Sequence, residues 1–435
     1  MPADRILPRT AQVAPRAGLL QRWSPLAFLG GTLLLPPAVA YVASGVGFVG
    51  GAMVVCMLLL GGCLVGLTHY PRQIKVADVI LILALIAFFI VAHFTAALYA
   101  NATITSKSTS SLGLLLIEGA AIPALIAVLF VDAHDEELWF AGRVLRYVFL
   151  ISAILGVLGI SPATDSVGAK PLFPFTEPSY WGFTFVPVLI FTSVRSRPLA
   201  RLVWLGLFLV ATVLIQNWTM MLCCLLAITV SLPNWAAVPA GVIGALGLFG
   251  IDLSYYAEHL NFDLSTTESQ SALVYVQGWQ MLDESLRHSH WWGLGLQQMG
   301  YQYTAVPATF RINALYGYDL NLQDGGFLLS KLGSEFGIFG IAFSGFAIFL
   351  SIRAFLVLRA ELSRPVMSNA RLLAYSSCFG ILVELLVRGG NYFSGSLMLY
   401  VASMLFLWLN RRSDLPLWRW PVPARVAAVS PMSAS

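Results

Sequence analysis

Long apolar runs alternate with short polar gaps along almost the whole chain, and the length of the runs is the first thing to explain. At 1.5 Å rise per residue, about 20 apolar residues cross the roughly 30 Å hydrocarbon core of a bilayer. Twelve runs approach that length, at about 25–44, 47–68, 77–99, 111–131, 144–161, 179–194, 200–215, 217–232, 235–252, 326–350, 372–388 and 392–410. The pattern predicts an all-α, polytopic integral membrane protein with about twelve transmembrane helices. It divides the chain into an N-terminal segment at about 1–24, helices one to nine at about 25–252, a large polar loop at about 253–325, helices ten to twelve at about 326–410 and a tail at about 411–435.

The gaps carry the charge, and they carry it unevenly. Of 25 Lys and Arg, 19 fall in the N-terminal segment, in alternate gaps and in the tail. The other six are Lys107, Lys170, Arg287, Arg311, Lys331 and Arg388. Cytoplasmic loops collect Lys and Arg, so the expected topology has both termini cytoplasmic and the large loop outside. The acids Asp132, Asp135, Glu136 and Glu137 form one inner cluster, expected to be a solvated loop.

Composition agrees. The 435 residues are 58% hydrophobic and 11% charged, whereas a soluble domain is about a quarter charged. A net charge of +4 spread along the chain gives no reason to expect nucleic acid. The five cysteines lie inside apolar runs and read as packing residues rather than a disulfide framework. The first apolar run is long enough to span and leads directly into a second, so it reads as an uncleaved helix and not a removed leader.

Candidate chemistry concentrates on the outer side. Glu177-Pro178-Ser179 opens the sixth run, which puts Glu177 at a helix N-terminus, as a helix-end charge or a general base. The large loop holds twelve aromatic residues, suited either to an interfacial belt or to a sugar-binding groove. Trp181, Trp291, Trp292 and Tyr392 are the candidates for sugar contact. Residues Val274 to Arg287 read as an amphipathic helix that could lie on the membrane surface. In Arg287-His288-Ser289-His290-Trp291-Trp292-Gly293-Leu294-Gly295, the arginine suits phosphate, the histidines suit proton transfer, and the glycines allow backbone to approach a ligand. Two histidines at i, i+2 without a third ligand are poor metal ligands, and no metal site is expected. Asp324-Gly325-Gly326 precedes Lys331 and Glu335, an i, i+4 pair, and Glu384 stands at i−4 from Arg388. Glu118, in the fourth run, requires a partner in space or a proton.

Three segments, FTEPSYWG, SHWWGLGLQQMG and DGGFLLSKLGSEFGIFG, occur in that order, the middle one inside the large loop. This arrangement, from about residue 25 to 410, resembles the Wzy-type polysaccharide polymerases of the O-antigen ligase and polymerase superfamily, nearest their exopolysaccharide branch. The resemblance implies a membrane glycosyltransferase fold in a bacterial inner membrane, with the large loop periplasmic and no cofactor. Its substrate would be an undecaprenyl-pyrophosphate-linked oligosaccharide, and its partners a flippase and a chain-length regulator. The implied reaction moves a growing chain from its lipid to the next lipid-linked unit. On this reading Arg287, Arg311 and Arg388 hold pyrophosphate, and Glu177, His288 or Asp324 is the general base. The chain departs from the family in having Gln323 and Asp324 before the tenth run and Arg287 close to the glycines. A ligase differs only in acceptor. A flippase or transporter would gather polar groups near the midplane instead.

Overall fold

The computed structural model describes residues 19–42, 47–69, 76–101, 106–160, 172–233, 261–389 and 391–411. Among them the regular elements are α-helices, with one π-helical turn at Ala127–Val131 and no β-strand. In chain order the helices are α1 (Leu19–Val42), α2 (Gly47–His69), α3 (Val76–Tyr99), α4 (Ser106–Ile126), α5 (Asp135–Val157), α6 (Pro178–Arg195) and α7 (Pro198–Ile215). There follow α8 (Trp218–Ser231), α9 (Gln270–His288), α10 (Pro307–Tyr316), α11 (Leu328–Phe336), α12 (Ile338–Ser363), α13 (Asn369–Leu386) and α14 (Gly395–Arg411). Six helices are long and apolar enough to cross a membrane: parts or all of α1, α4 with its π turn, α5, α7, α12 and α13. Shorter apolar helices lie in α2, α3, α8 and α14. The chain is therefore an all-helical, multi-pass membrane protein. The predicted ninth span, the start of the large loop, the tail after Arg411 and most of the N-terminal segment lie outside the described residues.

Helix α6 is the hub. It is apolar on every side, and a helix without a polar face is stable only when surrounded. Its residues Trp181 to Val194 are buried, packed against α5, α8 and α13. Phe149 and Phe185 stack on each other, and with Phe208 they pack around Trp181 edge-on or tilted to fill the centre. The outer helices show the reverse arrangement. Val203, Leu207, Val210 and Leu214 on α7, and Phe346, Phe349, Ile352 and Leu356 on α12, are exposed. Such apolar faces suit hydrocarbon and would be a liability in water.

Three expectations need correction. The acidic cluster is not a solvated loop: α5 begins at Asp135, and Asp135, Glu136 and Glu137 form its first turn. Glu137 reaches back to the His134 backbone N–H at 3.1 Å, so the acids cap the helix and offset its dipole. The tenth apolar run is not one helix. Gly337, at φ 58°, ψ −133°, separates α11 from α12, and a Cβ there would stand 2.0 Å from the Trp291 carbonyl oxygen. Hydropathy alone cannot register such a break. Finally, the amphipathic helix of the loop exists as α9, but its apolar face is buried inside the protein, against α10 and α11.

Candidate functional site

The head of α6 presents Glu177 as its N-cap residue, with Pro178 in the first helical position. Proline lacks the N–H that would be orphaned there, which fixes the helix start and the position of the carboxylate. Ser179 Oγ donates to Glu177 Oε2 at 2.9 Å, and Arg388 Nη2 donates to the same oxygen at 2.8 Å. Glu177 is 41% exposed and Arg388 18%, so the pair faces solvent from one side only. Arg388 follows the end of α13. Burial works against its charge, but Glu177 beside it raises the guanidinium pKa above its ordinary value.

Two glycine turns bring Arg388 to this place. Gly325 and Gly326 both have positive φ, 63° and 76°, a conformation that glycine adopts without penalty. The Gly389 N–H donates to the Gly326 carbonyl at 3.0 Å. A Cβ on Gly389 would stand 2.5 Å from the Leu328 nitrogen. The Asp324-Gly-Gly turn and the Arg388-Gly turn therefore interlock backbone to backbone. Asp324 lies within electrostatic reach of Arg388, Tyr180 and Lys107.

Beneath the surface pair is a buried one. Lys331 and Glu335 on α11 are both fully buried, and the predicted i, i+4 pairing is present at its outer limit, 4.0 Å. Lys331 Nζ donates to the Gln323 carbonyl at 2.5 Å and lies 3.4 Å from Asp324 Oδ1. Glu335 Oε2 accepts from Tyr392 Oη at 2.7 Å and from the Gln297 backbone N–H at 2.8 Å. A buried charge must be paired and hydrogen-bonded to be tolerated, and both are. Lys107, at the start of α4, closes the group by donating to Gln323 Oε1.

The glycine run of the loop supports this layer and does not itself cradle a ligand. Leu294 and Gly295 donate their N–H groups to the carbonyls of Ser334 and Glu335 at 2.9 and 2.8 Å. A Cβ on Gly293 would stand 2.5 Å from the Glu335 carbonyl oxygen. Thus the glycines let the loop wrap the break between α11 and α12 and deliver Gln297 to Glu335. His93 of α3 anchors the far side: its Nδ1 accepts from the Leu296 N–H at 2.7 Å, and its Nε2 stands 3.3 Å from Ser108 Oγ.

The sequence-predicted residues thus divide. Glu177, Arg388, Asp324 and Tyr392 come together. Arg287 forms an i, i+4 ion pair with Asp283 at 2.7 Å, and His288 Nε2 lies 2.8 Å from Glu284 Oε1, both on the exposed side of α9. The Arg287 side chain is 71% exposed, and His288 stacks on Tyr303. Arg311 is half-buried on α10. Trp291 and Trp292 are exposed, whereas Trp181 sits in the apolar core. Glu384 is held by Ser394 and Ser396 Oγ, while its expected i, i+4 neighbour Arg388 turns to Glu177. Lys107, Tyr180, Gln297 and His93 escaped sequence reasoning as site residues. Lys107 carried a signal as one of the six cations expected on the outer side, and Tyr180 and Gln297 lay inside two of the quoted segments, whereas His93 carried none.

An apolar cleft of about 220 Å³ adjoins the cluster between α3, α4, α11, α12 and α14. Leu85, Phe89, Leu116, Phe336, Phe343 and Met398 are among its lining residues, with Glu118 and Tyr392 the polar ones. Tyr392 therefore belongs to both places: its ring lines the cleft and its hydroxyl bonds Glu335. Compared with known proteins, the chain matches no family model, no curated protein and no solved structure.

Proposed function

We propose that this protein is a polysaccharide polymerase of the exopolysaccharide type, a membrane glycosyltransferase acting at the periplasmic face of a bacterial inner membrane. The observation that carries the reading is the junction at Tyr392, where a cluster of ionisable groups meets an apolar cleft. An undecaprenyl-pyrophosphate-linked oligosaccharide has the matching shape, with a doubly charged head between a sugar chain and an apolar tail. The cleft suits the first part of the tail. Arg388, planar and two-pronged, suits the pyrophosphate, with Lys107 as a second cation.

In the reaction, a hydroxyl of the incoming unit attacks the anomeric carbon of the growing chain. The bond from that carbon to the pyrophosphate oxygen breaks, and its electron pair leaves with the lipid pyrophosphate. Glu177 takes the hydroxyl proton. Its pairing with Arg388 gives a simple order of events: pyrophosphate competes for the guanidinium, and the freed carboxylate becomes the stronger base. Displacement in one step inverts the anomeric centre. Arg287, His288 and Arg311 take no part in this scheme, since their places on α9 and α10 join neither the cluster nor the cleft. A chain-length regulator and a flippase are the partners such a polymerase would work beside.

The test is polymer made by a deletion strain carrying Glu177→Gln or Arg388→Ala at normal expression. Loss of high-mass polymer from both supports the assignment. Normal polymer from both overturns it. Polymer of normal length that fails to attach to its acceptor would identify a ligase instead.

A further inference from the structure

The opposite end of α6 carries a second polar cavity. The helix has 18 residues, so its ends lie about 27 Å apart, close to a bilayer's hydrocarbon thickness. The cavity is about 490 Å³ and is walled by the ends of α5, α6, α7 and α13.

One side of it is cationic. Arg146 is 4% exposed, with its guanidinium 3.9 Å over the Trp204 ring. Its Nη1 donates to Ser196 Oγ at 3.4 Å and it also bonds the Tyr147 side chain, while its Nε has no hydrogen-bond partner among the described residues. Arg195 and Arg197 also line the cavity, Arg195 lying 3.6 Å from Glu361 and donating to the Met367 carbonyl at 3.4 Å. Arg197 is the N-cap of α7 and provides no side-chain cap, so the positive end of that helix adds to theirs. Arg201, one turn further on, shows what a structural arginine looks like here: it donates to the carbonyls of Ser193, Val194, Ser196 and Ser231.

The other side is acidic, with Asp135 Oδ1 accepting from the Asn369 N–H at 2.8 Å. Asp135 and Glu136 are exposed carboxylates lining the cavity. Asn369 is buried, and its Nδ2 donates to the Asp135 carbonyl at 2.7 Å, which leaves its Oδ1 without a donor among the described residues. Among those residues no ion pair joins these carboxylates to the three arginines. Opposite charges lining one cavity, with Arg146 Nε and Asn369 Oδ1 both buried and unpartnered among the described residues, fit a ligand that is itself bipolar.

We infer that this cavity binds a phosphoethanolamine group, its phosphate on Arg146, Arg195, Arg197 and the start of α7, its ammonium on Asp135, Glu136 and Asn369. The group can come from a phospholipid headgroup or from solution, and the site is separate from the Glu177–Arg388 cluster. Trp139 lines the cavity and Trp204 lies under Arg146, so tryptophan fluorescence of the purified full-length protein reports binding.

The probes are free O-phosphoethanolamine, short-chain phosphatidylethanolamine, short-chain phosphatidylglycerol, inorganic phosphate and ethanolamine. Saturable binding is expected for a phosphoethanolamine probe, about tenfold or more tighter than for phosphate or ethanolamine alone. Arg197→Gln and Glu136→Gln, at exposed positions chosen because Arg146 variants risk misfolding, should each weaken it about tenfold. Arg364→Gln, outside the cavity, should leave it unchanged. Binding of the lipid but not the free headgroup assigns the ligand to the bilayer. Comparable binding of both assigns it to the headgroup alone, and both results support the site. No saturable binding, binding unaffected by both variants, or equal affinity for phosphatidylglycerol overturns it.

Discussion

Glu177 and Arg388 are 211 positions apart in sequence and share a hydrogen bond of 2.8 Å. Because the pair is partly open to solvent, its contribution to stability is small, of order 1 kcal/mol or less. Its value in the proposed scheme is chemical. Glu177→Gln keeps the side chain's size and removes the base, so polymerisation should fall by about 10²–10⁴ with thermal stability nearly unchanged. Arg388→Lys keeps the charge and loses the two-pronged fork, and should not restore activity. Radiolabelled chain extension, read beside a thermal melt, checks both variants. Each residue was legible alone, Arg388 as a cation on the disfavoured side and Glu177 as the acid before a Pro-Ser helix start. Their contact was not legible, because sequence spacing offered Arg388 a nearer partner in Glu384, which Ser394 and Ser396 occupy instead. Nor could spacing show that Lys331 and Glu335 are wholly buried.

Among the elements, the division of α11 from α12 controls the site, since it lets the loop glycines reach Glu335. Gly337→Ala would place a side chain in a backbone region reserved for glycine, at a cost of about 1–3 kcal/mol, and against the Trp291 carbonyl besides. Gly345→Ala, on α12 with open space around its Cβ position, is the comparison. The first should lower the melting temperature by several degrees and reduce activity; the second should hold or raise stability through better helix propensity. Apolar periodicity located most described helices but missed this break, because a tight glycine turn inside an apolar run leaves hydropathy unchanged. It also missed the start of α5, where acids that read as a loop are the helix's own cap. The glycine run was noticed for the right property, close backbone approach, but its neighbour is α11 and not a ligand.

At the scale of the molecule, the topology proposed from the charge pattern puts the Glu177–Arg388 cluster and the arginine-lined cavity on opposite faces of the membrane. This can be tested by labelling. Arg287→Cys, on exposed α9, should react with an impermeant maleimide in cells with a permeabilised outer membrane. Arg364→Cys, at the end of α12, should react only after the inner membrane is opened. Both variants are made with Cys63→Ser, and background should then be low, since Cys56, Cys223, Cys224 and Cys378 are buried. The reverse pattern would invert the topology and place the proposed chemistry in the cytoplasm. The central claim, that the cluster joins lipid-linked sugars, is tested most directly by the purified protein in liposomes given undecaprenyl-pyrophosphate-linked repeat units. The account predicts a ladder of longer lipid-linked oligomers without added nucleotide, with release of undecaprenyl pyrophosphate, and loss of both with Glu177→Gln. Units that stay monomeric, or a ladder that Glu177→Gln leaves intact, would contradict it.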